Sequence, residues 1–165
     1  MKTIGIFVDV SNIYYCVNKA FPGRKVDYLK YLDEASKEYT LYRVMAFGVQ
    51  SNPESAKFVS CLKHLGYDPR FKKYNEKFAR INSNVALSVE VFKTIDKLDI
   101  IVIGSADPNL VDLVTWIKDR GIEVHVLACG IPFILKEAAN RYTEITDNLL
   151  EELNLETHEV TSAAE

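Results

Sequence analysis

Two acidic side chains stand where strand-like runs give out. TIGIFVDV at residues 3–10 delivers Asp9, with Asn12 three positions on, and IIVIG at residues 100–104 leads through Ser105 and Ala106 to Asp107 and Pro108. Apolar, β-branched runs of this kind mark strands buried on both faces, and the tips of adjacent parallel strands converge on one crevice. Two carboxylates brought together there repel each other unless a cation lies between them, and hard oxygen ligands suit Mg²⁺ or Mn²⁺. Either segment alone is better read as capping, with Asp9 and Ser11 satisfying donors in a turn and Asp107–Pro108 starting a helix. Both together, at the ends of the two best strands, point to function.

A third contribution comes from NSNVALSVEVF at residues 82–92. Ser83 or Asn84 fits an N-cap, and Val85, Val89 and Phe92 form a core stripe at helical spacing. Glu90 departs from that stripe. It lies about 240° and about 9 Å along a helix from Asn84, so the two do not share a face; Glu90 is either an ordinary exposed side chain or a member of the site. Other α/β chemistries lack their motifs: the chain has no GxxxxGK[ST], no GxGxxG, and no GxSxG tied to His64, His125 or His158. His125, inside the run IEVHVLA, reads as a core histidine.

These residues need a scaffold that brings strand tips together. Further strands are expected at 41–49 and 122–128, with weaker ones at 70–74 and 142–145, and helices at 26–38, 53–66, 83–98 and 108–120. Such alternation implies right-handed crossovers and an α/β fold, a three-layer α/β/α sandwich with a mostly parallel central sheet. With 165 residues and 48% hydrophobic content, one domain is expected, over residues 1–150, followed by an acidic tail at 151–165 that frays or packs on a partner. Cys16, Cys61 and Cys129 are widely spaced and suggest reduced thiols, not a disulfide framework or zinc ribbon. The N-terminal run carries Asp9 and no cleavage-site pattern, and no apolar stretch reaches membrane-spanning length, so a cytoplasmic protein is expected, with no membrane partner.

A net charge of -3 excludes a generally basic nucleic-acid binder, yet residues 57–80 concentrate Lys57, Lys63, Arg70, Lys72, Lys73, Lys77 and Arg80 against only Asp68 and Glu76. Phe71, Tyr74 and Phe78 are interleaved. Phosphate contacts combined with aromatic stacking hold single-stranded RNA without base readout, which makes Lys63, Arg70, Lys72, Lys73, Lys77 and Arg80 candidate RNA-binding residues. The competing reading is a solvated helix and loop with its aromatics turned inward.

In order and spacing, FVDVSNIYY, NSNVALSVEVF, IVIGSADPNLVDLV and GIEVHVLACGIPFILKEAANRYTEI resemble the NYN domains of the LabA-like group, relatives of the PIN-domain nucleases. The resemblance implies a compact α/β/α ribonuclease whose clustered acids hold Mg²⁺ or Mn²⁺ at the carboxyl edge of the sheet. Carried over by position, the first aspartate is Asp9, its asparagine is Asn12, the helix-start aspartate falls on Asn84 and the acid further along that helix on Glu90. In the Gly-Asp-Ser-Asp-Phe segment the aspartates fall on Ser105 and Asp107 and the phenylalanine on Pro108. The late Ala-Asp-Arg-Phe type segment reads Ala139, Asn140, Arg141 and Tyr142. Asn84 and Ser105 remove two negative charges, so the implied site is a single ion held by Asp9, Asp107 and Glu90, with Asn12, Asn84 and Ser105 positioning waters. The expected function is a metal-dependent ribonuclease. The alternative is a catalytically depleted RNA- or protein-binding module, and an oligomerising scaffold is a third reading.

Overall fold

A computed structural model describes residues 1–74 and 82–153. Strand β1 (Thr3–Asp9) is buried along almost its whole length, as its unbroken apolar run requires, and is covered on both faces. The chain continues through α1 (Val10–Ala20), β2 (Arg24–Val26), α2 (Tyr28–Ser36), β3 (Thr40–Gln50), α3 (Pro53–His64) and β4 (Asp68–Lys73). It then forms α4 (Asn84–Thr94), β5 (Ile100–Gly104), α5 (Val111–Asp119), β6 (Glu123–Ala128), α6 (Phe133–Ala138), β7 (Arg141–Glu144) and β8 (Leu150–Glu152).

Six strands form one sheet in the order β4-β3-β1-β5-β6-β7, and every neighbouring pair is parallel. The chain works outward from β1 on one side, then returns to place β5 on the other. β1 and β5 are therefore neighbours whose following connections diverge, which is where doubly wound sheets open a crevice. One apolar cluster includes residues of α1, α2 and α3 against the sheet; the other is built from α4, α5 and α6. This is the three-layer sandwich expected from the alternating pattern.

Several details differ from the sequence-based expectation. The helix from Asn84 buries Leu87, Val91 and Thr94, while Val85 (69%), Val89 (41%) and Phe92 (48%) are exposed. Both stripes have helical spacing and both are largely apolar, so periodicity alone selects neither. Phe92 instead meets Trp116 of α5 edge-on, with ring centroids 4.6 Å apart. The segment after Asp107 opens as a 3-10 turn (Pro108–Leu110) before α5. Strands β2 and β8, absent from the sequence reading, pair antiparallel and bring Glu151 and Glu152, the first residues assigned to the acidic tail, against Lys25 and Arg24. Residues 154–165 lie outside the described part of the chain. Among the described residues, no helix is long and apolar enough to cross a membrane.

Candidate active site

The register of β1 against β5 pairs Val8 with Gly104, so Asp9 and Ser105 leave the sheet side by side. Asp9 is both the last residue of β1 and the N-cap of α1, where its Oδ1 accepts the Asn12 backbone N–H at 3.1 Å. It is buried, and burial is the main influence pushing its carboxyl above the usual range; the nearby charge of Asp107 adds to this, and hydrogen bonds from the Asn12 and Ser11 backbones oppose it. The register sets Asp9 beside Ser105, two residues before Asp107, so the two acids singled out from sequence lie at the same pair of strand tips.

Asn12 ties the strand tips together. Its Oδ1 accepts the backbone N–H of Ala106 at 2.9 Å and faces the Cys16 thiol at 3.9 Å. Ser105 is fully buried, and its hydroxyl oxygen accepts the backbone N–H of Asp107 at 3.1 Å. Asp107 caps the 3-10 turn, accepting the Asn109 N–H on Oδ1 at 2.9 Å. On its other oxygen, Oδ2, it accepts Nδ2 of Asn84 at 2.8 Å. Asn84 opens α4 and is only 9% exposed, and its own N–H is held by the side chain of Asn82 at 2.7 Å. Ser83, the competing cap, makes no side-chain capping bond. The site therefore draws Asn12 from one helical layer and Asn84 from the other.

Glu90 is engaged elsewhere. Its side chain, 13% exposed, pairs with Lys93 at 2.8 Å and Arg43 at 3.7 Å. Among the described residues no three His, Cys, Asp or Glu side chains form a metal-binding group. The remaining donors still suit one hard divalent ion, since Mg²⁺ is commonly held by one or two carboxylates and keeps several waters. Asn84, whose Nδ2 bonds Asp107, has its Oδ1 buried without a hydrogen-bond partner, a further hard oxygen of the kind such an ion takes.

Sequence reasoning did not find Tyr28, whose buried phenol is pushed up mainly by burial and further by the charge of Asp9. Nor did it find Asn82 and Asn109 as local partners. Tyr28 starts α2, and no spacing rule links it to β1; only the packing of the helical layer does.

The basic stretch divides. Lys63 is exposed near the end of α3, and Lys72 and Lys73 are exposed on the edge strand β4. Arg70 is bound by Asp68 through two contacts, at 3.0 and 3.2 Å, which hold the Asp68 carboxyl below its usual range. Phe71 packs inward on Phe58, with centroids 6.2 Å apart, while Tyr74 is half exposed. Lys77, Phe78 and Arg80 lie outside the described residues.

The NYN domain family model matches residues 3–150. The chain belongs to the NYN domain family. It is also similar to the low amplitude and bright protein LabA of Synechococcus elongatus, at 23% identity over 158 residues, which cover 87% of this chain and 84% of that one. A crystal structure of a protein of unknown function from Vibrio parahaemolyticus has the same fold, with a TM-score of 0.84 and 24% identity, covering 91% of this chain and 96% of that one.

Proposed function

We propose that this NYN domain is a metal-dependent ribonuclease, hydrolysing phosphodiester bonds of single-stranded RNA at the crevice between the tips of β1 and β5. The observation that carries the reading is the juxtaposition of Asp9 and Asp107 at the neighbouring tips of β1 and β5, which are tied together where Asn12 Oδ1 accepts the Ala106 N–H at 2.9 Å. Asp9, Asp107 and the Oδ1 of Asn84 would hold one Mg²⁺ or Mn²⁺, which supplies water activation and charge neutralisation on the phosphate. Asn12 fixes the β5 loop by holding the Ala106 N–H, and Ser105 fixes the Asp107 backbone. Asn84 orients the Asp107 carboxylate through its amide N–H. Lys72 and Lys73 offer phosphate contacts at the same sheet edge. Three free cysteines suit a reducing cytoplasm.

A second reading, a binding module that has lost hydrolysis, is favoured by one observation. Asn84 stands where the family resemblance places an acid, and it donates a hydrogen bond to Asp107 instead of adding negative charge. Incubation with single-stranded RNA and Mn²⁺, beside Asp9→Asn and Asp107→Asn variants, separates the two. Cleavage lost in both variants supports the nuclease. Binding without cleavage in the unaltered protein selects the module, and cleavage that survives both substitutions sinks the proposed site.

A further inference from the structure

The loop after β6 carries exposed apolar side chains to the same sheet edge. It turns at Gly130, in the left-handed region at φ 68°, and α6 then packs on α5 and on the 3-10 turn capped by Asp107. Leu135 of α6 is fully buried in the same apolar cluster as Ala106 and Leu110, which anchors the helix beside the site loop. Just ahead of it, Phe133 is 75% exposed and Ile134 is 48% exposed. Single exposed apolar residues are ordinary, so exposure alone assigns nothing. Their position does more.

In the strand order, β4 lies two places from β1 on one side, and β6 lies next to β5 on the other. At a spacing of about 4.8 Å per strand, β4 and β6 are about 19 Å apart across the edge. In that order the edge runs from the end of β4, with Lys72, Lys73 and Tyr74 following, past the tips of β1 and β5 to the loop after β6 that leads into Phe133. The two flanks differ in chemistry. On the β4 side Lys72 and Lys73 are exposed cations. On the α6 side, Lys136 pairs with Glu144 at 3.2 Å and lies 5.2 Å from the centre of the Tyr142 ring. That cation is engaged, so that flank offers a ring face more than a phosphate contact.

Resting on the RNA reading of the site, we propose that Phe133, with Ile134 beside it, is the stacking platform for a base on the β6 side of the crevice. The RNA lies transverse to the β-strands, with its phosphates on the Lys72–Lys73 flank. Every base has a π-face, so such a platform fixes the strand's position without selecting sequence.

The test is fluorescence anisotropy of a short labelled single-stranded RNA in EDTA, which reads binding apart from cleavage. Phe133→Ala should weaken binding about tenfold with its salt dependence unchanged, because stacking involves no counterion release. Phe133→Tyr should restore binding. Moving one abasic nucleotide along the probe should reveal a single position at which Phe133→Ala costs nothing further. Wild-type affinity in a Phe133→Ala variant whose circular dichroism is intact overturns the platform, as does an equal loss at every abasic position. Absence of RNA binding by the unaltered protein overturns the RNA reading itself, which separates the two failures.

Discussion

Asn12 and Ala106 are 94 residues apart in the chain, and the side chain of one holds the backbone N–H of the other at 2.9 Å. This bond joins the start of α1 to the loop after β5 and so sets the spacing of Asp9 and Asp107. Asn12→Ala leaves a partly buried N–H without its partner and should cost about 1–3 kcal/mol in urea denaturation. The same variant should bind Mn²⁺ more weakly in calorimetry, because the Asp107 loop loses its tether.

Asp9 governs a pH dependence of stability. Its native carboxyl lies above the ordinary value of 3.8, first through burial and then through Asp107. The folded state therefore holds this proton more tightly than the unfolded chain does. The stability it contributes is complete below the unfolded pKa and is lost as pH rises through the native one. Denaturation at a series of pH values should show this decline above the ordinary carboxylate range. Asp9→Asn, which keeps an N-cap acceptor, should abolish it and stabilise the metal-free protein at neutral pH. Mn²⁺ should offset the decline in the unaltered protein and not in the variant.

Asn84→Asp converts the amide beside Asp107 into a third carboxylate. Mn²⁺ affinity should rise about tenfold, since ligand charge tunes such sites, and metal-free stability should fall because the new charge is buried against Asp107. Calorimetric titration and thermal melts with and without EDTA check both. Unchanged affinity would place the ion, if any, away from Asn84.

Gly104 is the last residue of β5. A Cβ there would meet the Tyr31 hydroxyl and, at 3.1 Å, the Val8 backbone. The Tyr31 hydroxyl donates to the Leu127 carbonyl at 2.8 Å from a fully buried position and has little room to yield. Gly104→Ala should therefore cost about 1–3 kcal/mol, as overpacking does, measured by denaturant midpoint, and should weaken Mn²⁺ binding through the adjoining loop.

For the β4 flank, Lys72→Glu with Lys73→Glu should lower RNA affinity and reduce the slope of log affinity against log salt by at least about 1.4, the counterion release of two phosphate contacts on a single strand. Arg70→Ala should have the smaller effect, because Asp68 already neutralises that guanidinium. Anisotropy across a salt series checks both.

The strands that carry the site were readable in the sequence because each is a short, β-branched apolar run leading into polar residues, too short for a buried helix and suited to a strand covered on both faces. Asp9 and Asp107 were readable for the same reason. The face of α4 was not: Leu87 and Val91 compete with Val85, Val89 and Phe92 at equal spacing, and only the position of β1 and β5 decides between them. Nor was the Asn84–Asp107 bond legible, since it joins a helix start to a loop 23 residues away. The ribbon of β2 and β8 escaped notice because three-residue strands show almost no period.

The crevice hangs from opposite layers, Asn12 in the helices on one side of the sheet and Asn84 in those on the other. A slip of either layer along the strands would part the two acids before any strand pairing broke. Loss of the proposed ion affinity should then be the earliest sign of thermal or mutational damage, arriving while the circular dichroism spectrum is still intact, and the crevice would serve as a built-in gauge of how well the sandwich is aligned.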